Sequence, residues 1–280
     1  MSKSTSVNVN ELLEQATDEG LLSPASLNAI NVPNIGAQIQ AGMGVNVDDI
    51  TAPDPTLVTI IVDDSGSISA SGNTEVIRDG LNMVLDELLK SKTKDGILVH
   101  IRLLNGDIIC PFCPLSEAVV NYRLDKKNYN EAKFLGTPLY DQVMVLLATV
   151  MAKTQEFSDN GVTVKTVTLI MTDGEDVHSR QNDERDCKRV ITDMVKQEIH
   201  IVSGFGVPSY GGGNDDFRDI FESMGIAPQW ILTPNMGSTP EENGKIIRSA
   251  LKLFSQSAAS VSQTAATSFS QSSLGGFGNN

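Results

Sequence analysis

Apolar residues along this chain alternate between two rhythms. Near-continuous aliphatic runs at 57–62, 97–104, 164–171 and 199–207, with a shorter one at 229–232, have the length and β-branched content of strands covered on both faces. Between these runs the spacing turns helical: Ile77, Leu81, Val84, Leu85 and Leu88 form one stripe, and Cys187, Val190, Ile191, Met194 and Val195 another. Strand and helix in alternation predict an α/β fold, a doubly wound, mainly parallel central sheet with helices on both faces in a Rossmann-like arrangement. Asn105-Gly106 accepts the positive φ angles of a tight turn, so 107–110 is expected to fold back as an antiparallel edge strand.

The segment after Thr137 carries Val143, Met144, Val145, Leu146, Leu147, Val150 and Met151, which predicts a central helix buried on most sides, with Thr137 as its cap and Pro138 at its first position. A last helix is expected over 240–254, capped by Ser238 or Thr239, with Glu241 and Glu242 in its first turn and Ile246, Ile247, Ala250, Leu251 and Phe254 on its apolar face. Three zones follow from these patterns. Residues 1–53 lack aromatics and carry a local charge of −5; Ser23-Pro24 marks a helix start, so short helices docked on the main body are expected there. Residues 54–254 form the main domain. Residues 255–280 carry no charge and are rich in Ser, Ala, Gln, Thr and Gly, the composition of a tail that is at least partly disordered.

Candidate chemistry clusters where strands are predicted to end. Asp63-Asp64-Ser65-Gly66-Ser67 follows the first aliphatic run and Thr172-Asp173-Gly174 the run at 164–171, while Gly136-Thr137-Pro138 opens the apolar helix. In an open parallel sheet such positions converge beyond the carboxyl ends of the strands. Ser65 and Ser67, two apart in a turning loop, can point both hydroxyls inward beside Asp63. Mg²⁺ takes six oxygens and keeps its waters reluctantly, so hydroxyls and water-bridged carboxylates suit it, with Mn²⁺ or Ca²⁺ as substitutes. The expected metal residues are therefore Asp63, Ser65, Ser67, Thr137 and Asp173.

In motif, order and strand context, Asp63-x-Ser65-x-Ser67, Thr137 and Asp173 resemble the metal-ion-dependent adhesion site of von Willebrand factor A-type domains, over roughly residues 54–254. The resemblance implies that Ser65, Ser67 and Thr137 touch the metal in the partner-bound state while Asp63 and Asp173 act largely through water. It also implies that loops and the 240–254 helix shift when the ligand at the metal changes. Neutral hydroxyls leave much of the 2+ charge uncompensated, so the open coordination position prefers an anionic oxygen, a partner's Asp or Glu carboxylate. Within the family, the chain looks like intracellular bacterial A-type proteins encoded with tellurium-resistance and stress-response systems, which implies an adaptor or assembly component beside an ATPase, kinase or phosphatase.

Other clusters weigh less. Asp64, Asp141, Glu175 and Asp176 crowd the same rim and are read as solvated or capping, with Asp141 placed to bond a neighbouring loop. His178 is read as an exposed side chain, and His100 and His200 fall inside strands. Cys110-Pro111-Phe112-Cys113 lacks the further Cys or His ligands of a zinc site and is assigned a structural role at the hairpin, with a zinc shared between molecules left open. No Gly-x-x-x-x-Gly-Lys-Ser/Thr phosphate loop, Gly-x-Ser-x-Gly nucleophile elbow or Asp-x-Asp motif at 63–65 is present, so the chain is expected not to be an enzyme. A metal-dependent phosphatase or phosphoacceptor using the acidic site stays as the alternative.

Composition narrows the partners. A formal charge of −14 on 280 residues repels phosphate backbones and anionic lipid, which disfavours nucleic acid and bare membrane. The first residues lack the apolar stretch of a secretory signal, and the three cysteines form no disulfide framework, so a cytoplasmic location is expected.

Overall fold

The aliphatic runs pair as β1 (Thr56–Val62), β2 (Ile97–Leu103), β3 (Ile108–Pro114), β4 (Lys165–Thr172), β5 (His200–Gly206) and β6 (Ile231–Leu232). This computed structural model describes residues 8–30, 35–130, 136–208, 214–271 and 274–277. Among them the sheet has six strands in the order β3-β2-β1-β4-β5-β6, all parallel except the edge strand β3. β3 runs on to Pro114, beyond the expected end at 110, and so takes in the whole Cys-Pro-Phe-Cys stretch. An edge strand tolerates these prolines because its outer side has no ladder to supply, and two register shifts against β2 absorb the mismatch.

Helices cover both faces. In chain order they are α1 (Val9–Asp18), α2 (Pro24–Ile30), α3 (Ile35–Met43), α4 (Gly66–Ala70), α5 (Thr74–Leu88), α6 (Leu115–Asn121), α7 (Leu139–Asp159), α8 (Glu184–Lys196), α9 (Asn214–Ser223) and α10 (Pro240–Gln263). α7 and α8 lie against β1, β4 and β5, while α5 packs on α10, which reaches β1 and β4. No described helix is long and apolar enough to cross a membrane.

The N-terminal helices form an outer layer. α1 and α3 lie on α7, and α2 on α8. Ser23 caps α2 as its Oγ accepts the Ser26 amide at 3.2 Å, and Asp193 of α8 latches both residues, accepting Ser23 N at 2.8 Å and Ser26 Oγ at 2.6 Å. Past α3, Gly44 (φ +60°) lies so close to β3 that a Cβ would stand 2.0 Å from the Phe112 carbonyl oxygen, and Val45 N donates to that oxygen at 2.8 Å. With the sheet on one side and α1 and α3 on the other, α7 buries even Thr149, Lys153 and Glu156.

Two sequence expectations need correction. α7 begins at Leu139 with Pro138 as its cap residue, so Thr137 precedes the helix and does not cap it; the first amides of α7 are taken by another loop, described below. The final helix continues past 254 to Gln263, because Phe254, Ala258 and Val261 prolong the buried stripe and outweigh the polar composition around them. Beyond it Phe269 and Phe277 are buried, and Phe277 stands edge-on to Trp230 with ring centroids 5.3 Å apart. The described part of 255–277 is therefore built into the fold.

Candidate metal centre

From β1 the strand order steps outward to β2 on one side and to β4 on the other, so the carboxyl ends of β1 and β4 border the crevice where open α/β sheets place their ligands. Val62 and Met171 are in register, which sets Asp63 beside Thr172 and Asp173. Asp63 is fully buried and each of its oxygens is used. Oδ1 accepts Ser65 N at 2.8 Å; Oδ2 accepts Thr172 Oγ1 at 2.7 Å and Asp173 N at 3.4 Å; its backbone carbonyl accepts the Tyr129 hydroxyl at 2.7 Å. A carboxylate held this way is fixed in position beneath the loop.

Above it the hydroxyls line up. Ser65 and Ser67 are 2.9 Å apart at their Oγ atoms, and Ser67 Oγ donates to Asp173 Oδ1 at 2.6 Å. Asp173 Oδ2 is buried with no protein partner. Burial, followed by the charge of Asp63, pushes the Asp173 carboxyl from its ordinary 3.8 up to about 7. A buried carboxylate with one oxygen orphaned and the other bonded to Ser67, itself bonded to Ser65, above a second buried carboxylate, is a donor set short of positive charge. Those donors fit a hard divalent cation. Among the described residues no group of three or more His, Cys, Asp or Glu is gathered to hold a metal, so the cluster depends on its hydroxyls.

Thr137 is tied to this rim through the loop that leaves β4. Its carbonyl accepts Val177 N at 3.1 Å and His178 N at 3.3 Å, and its own amide donates to His178 Nδ1 at 3.0 Å. The same loop caps α7: Tyr140 N donates to Asp176 Oδ1 at 3.3 Å and Asp141 N to Ser179 Oγ at 2.9 Å. In return Asp141 accepts the amides of Arg180, Gln181 and Asn182 between 2.8 and 3.1 Å, the neighbouring-loop bond its position suggested. Asp64 turns aside to accept Asn105 N at 3.1 Å, and burial raises its carboxyl to about 6. Hence Asp63, Ser65, Ser67 and Asp173 form one hydrogen-bonded cluster, with Thr137 laced to the loop of Asp173.

Sequence reasoning missed three residues here. Thr172 sits in the quoted motif, yet its hydroxyl was not singled out; Tyr129 lies in a loop with no pattern; His178 is exposed as expected but engaged. The remaining motif, Cys110 and Cys113, is a pair of buried free thiols 3.4 Å apart, where the hydrogen bond shared with Cys113 and burial hold the Cys110 thiol protonated. His100 and His200 are buried in β2 and β5, and burial lowers both to about 3, so each is a neutral ring.

No protein-family model and no curated protein sequence matches the chain. Solved structures do. The pilus adhesin SpaC from Lactobacillus rhamnosus GG, in its open conformation, is similar with a TM-score of 0.52 and 11% identity, over 74% of this chain and 30% of that one. Proximal thread matrix protein 1 from the mussel byssus is similar with a TM-score of 0.50 and 14% identity, over 74% of this chain and 49% of that one. The chain thus spans a third to a half of the length of these neighbours. At such identities the likeness shows the fold alone, and that fold is of the von Willebrand factor A type.

Proposed function

We propose that the chain is a metal-dependent protein-interaction module that holds Mg²⁺ at the rim between β1 and β4 and captures a carboxylate of a protein partner. The observation that carries this reading is the Ser65–Ser67–Asp173 hydrogen-bond chain, ending in a buried, unpartnered Asp173 oxygen above the buried Asp63. Ser65, Ser67 and Thr137 would supply hydroxyls, and Asp63 and Asp173 the negative charge. When bound, the cation supplies a seat for an anionic oxygen, because neutral hydroxyl ligands offset little of its charge. The chain's own residues do the rest: Asp63 and Thr172 anchor the strand-end loop and Tyr129 pins its backbone, while Ser67 stands exposed at the rim where a partner can reach it.

This reading makes the chain a binding component rather than a catalyst. From the sequence resemblance to intracellular bacterial A-type proteins, we further propose a cytoplasmic adaptor or assembly subunit of a stress-response or ATPase-linked system of the tellurium-resistance type. Its test is a titration of the full chain with Mg²⁺ and Mn²⁺, followed by capture of partners from a native cytoplasmic extract with and without EDTA. Metal binding and EDTA-sensitive capture, both lost in Asp173→Ala, are expected. Capture that ignores EDTA refutes the mechanism, and turnover of a generic phosphoester would favour a phosphatase instead.

A further inference from the structure

Resting on that metal reading, we propose that His178 is a positioning residue that sets Thr137 in place at the metal centre. Both backbone polar groups of Thr137 are committed to Val177 and His178: the carbonyl accepts two amides and the Thr137 amide donates to His178 Nδ1 at 3.0 Å. The ring therefore acts as an acceptor at Nδ1 and carries its proton on Nε2. It also lies close against Gly136, the residue before Thr137. A Cβ at Gly136 would stand 2.8 Å from His178 Cγ and 2.9 Å from Nδ1, so glycine is what lets the ring reach the Thr137 amide.

Two features separate this clamp from ordinary packing. His178 is exposed, so no burial of the ring accounts for its placement. The start of α7 is held independently, by Asp176 and Ser179 on the amides of Tyr140 and Asp141, so the helix does not need the ring. What the ring holds is the single residue before Pro138, whose hydroxyl would face the cation. Because Val177 and His178 follow Asp173 on one loop out of β4, the clamp couples two of the separate stretches of the site: the position of Thr137 follows the loop that carries Asp173. His178 does not itself touch the ion.

The experiment titrates Mn²⁺ into the full-length protein and its variants His178→Ala, His178→Asn and Gly136→Ala, with the melting temperature of each recorded in EDTA. Residues that orient metal ligands typically weaken binding tenfold to a hundredfold when removed, so His178→Ala is expected to lose about that much affinity. Gly136→Ala, which pushes the ring off the amide, should lose a similar factor. His178→Asn, whose side-chain oxygen can accept the same amide, should recover most of it. Melting temperatures in EDTA should stay together. Unchanged affinity in His178→Ala overturns the positioning role, as does an affinity loss that tracks a falling melting temperature and is not rescued by Asn. If the wild-type chain binds no Mn²⁺, the metal reading itself fails, an outcome distinct from either.

Discussion

Asp173 holds one carboxylate oxygen on Ser67 and leaves the other buried without a partner, and its carboxyl titrates near 7 where 3.8 is ordinary. A folded-state value raised this far means the metal-free fold binds that proton more tightly than the unfolded chain does. The stability it contributes is complete below about 3.8 and is lost as pH rises through about 7. A cation reverses the preference by displacing the proton. Mg²⁺ or Mn²⁺ binding at pH 6 should therefore release close to one proton (about one, from this single group) and far less at pH 8, with apparent affinity climbing until about pH 7. Calorimetric titrations in buffers of different ionisation heat read this directly, and heats independent of buffer at pH 6 would refute it. His100 and His200 act in the opposite sense. With folded values lowered to about 3 from 6.5, the stability they give is present above 6.5 and lost on acidification toward 3. Thermal melts of the metal-free protein should thus fall off in acid, and His200→Gln, which keeps a polar group near Thr166, should flatten that limb.

α7 shows how an element takes its character from what covers it. Its inner side faces the sheet, and its outer side is covered by α1 and α3, so the helix is buried nearly throughout. Lys153 is buried there: its ammonium donates to Glu156 Oε2 at 2.8 Å and to the Val45 carbonyl, with the Phe157 ring centroid 5.7 Å away. Removing one partner of such a pair leaves the other charge without compensation. Lys153→Ala is expected to cost about 3–5 kcal/mol, while Lys153→Met combined with Glu156→Leu should recover most of that loss. Urea unfolding of both variants decides it, and a single-variant cost under about 1 kcal/mol would show that the N-terminal layer does not seal the helix.

For the molecule as a whole, the C-terminal segment closes the core at the start of β4 and beside Trp230. Ala258, Val261, Phe269 and Phe277 are buried, Lys165 Nζ donates to the Thr264 carbonyl, and Phe277 N donates to Gln229 O at 3.0 Å beside Trp230. Truncation after Phe254 strips these contacts and leaves the Lys165 amine, already lowered by burial, without its acceptor. The expected result is a lower melting temperature and a red-shifted emission from Trp230, the single tryptophan of the chain. Unchanged emission would mean that the segment is dispensable to the core.

By itself the sequence determined what depends on local pattern. Aliphatic runs and helical stripes dictated β1, β2, β4 and β5 closely, together with α5, α7, α8 and the start of α10, because burial on two faces or one is written in residue spacing; the run at 229–232 gave only the two-residue β6 after a 3-10 turn, and α4, α6 and α9 were not read. The clustering of Asp63, Ser65, Ser67 and Asp173 was legible for the same reason: their oxygens sit at the ends of recognisable strands, and parallel strands end on one side. Only tertiary structure decided which long-range partner won each polar group. Thr137 was read as a cap because Thr before Pro suits that role, but residues 176–179, some forty positions on, supply the capping and hold Thr137 by its backbone. His178 carried no pattern of its own, and the tail's polar composition hid an apolar stripe that pays only once α5 and the sheet are there to receive it. Contacts between residues distant along the chain are set by the assembled surface, and no local rhythm encodes them.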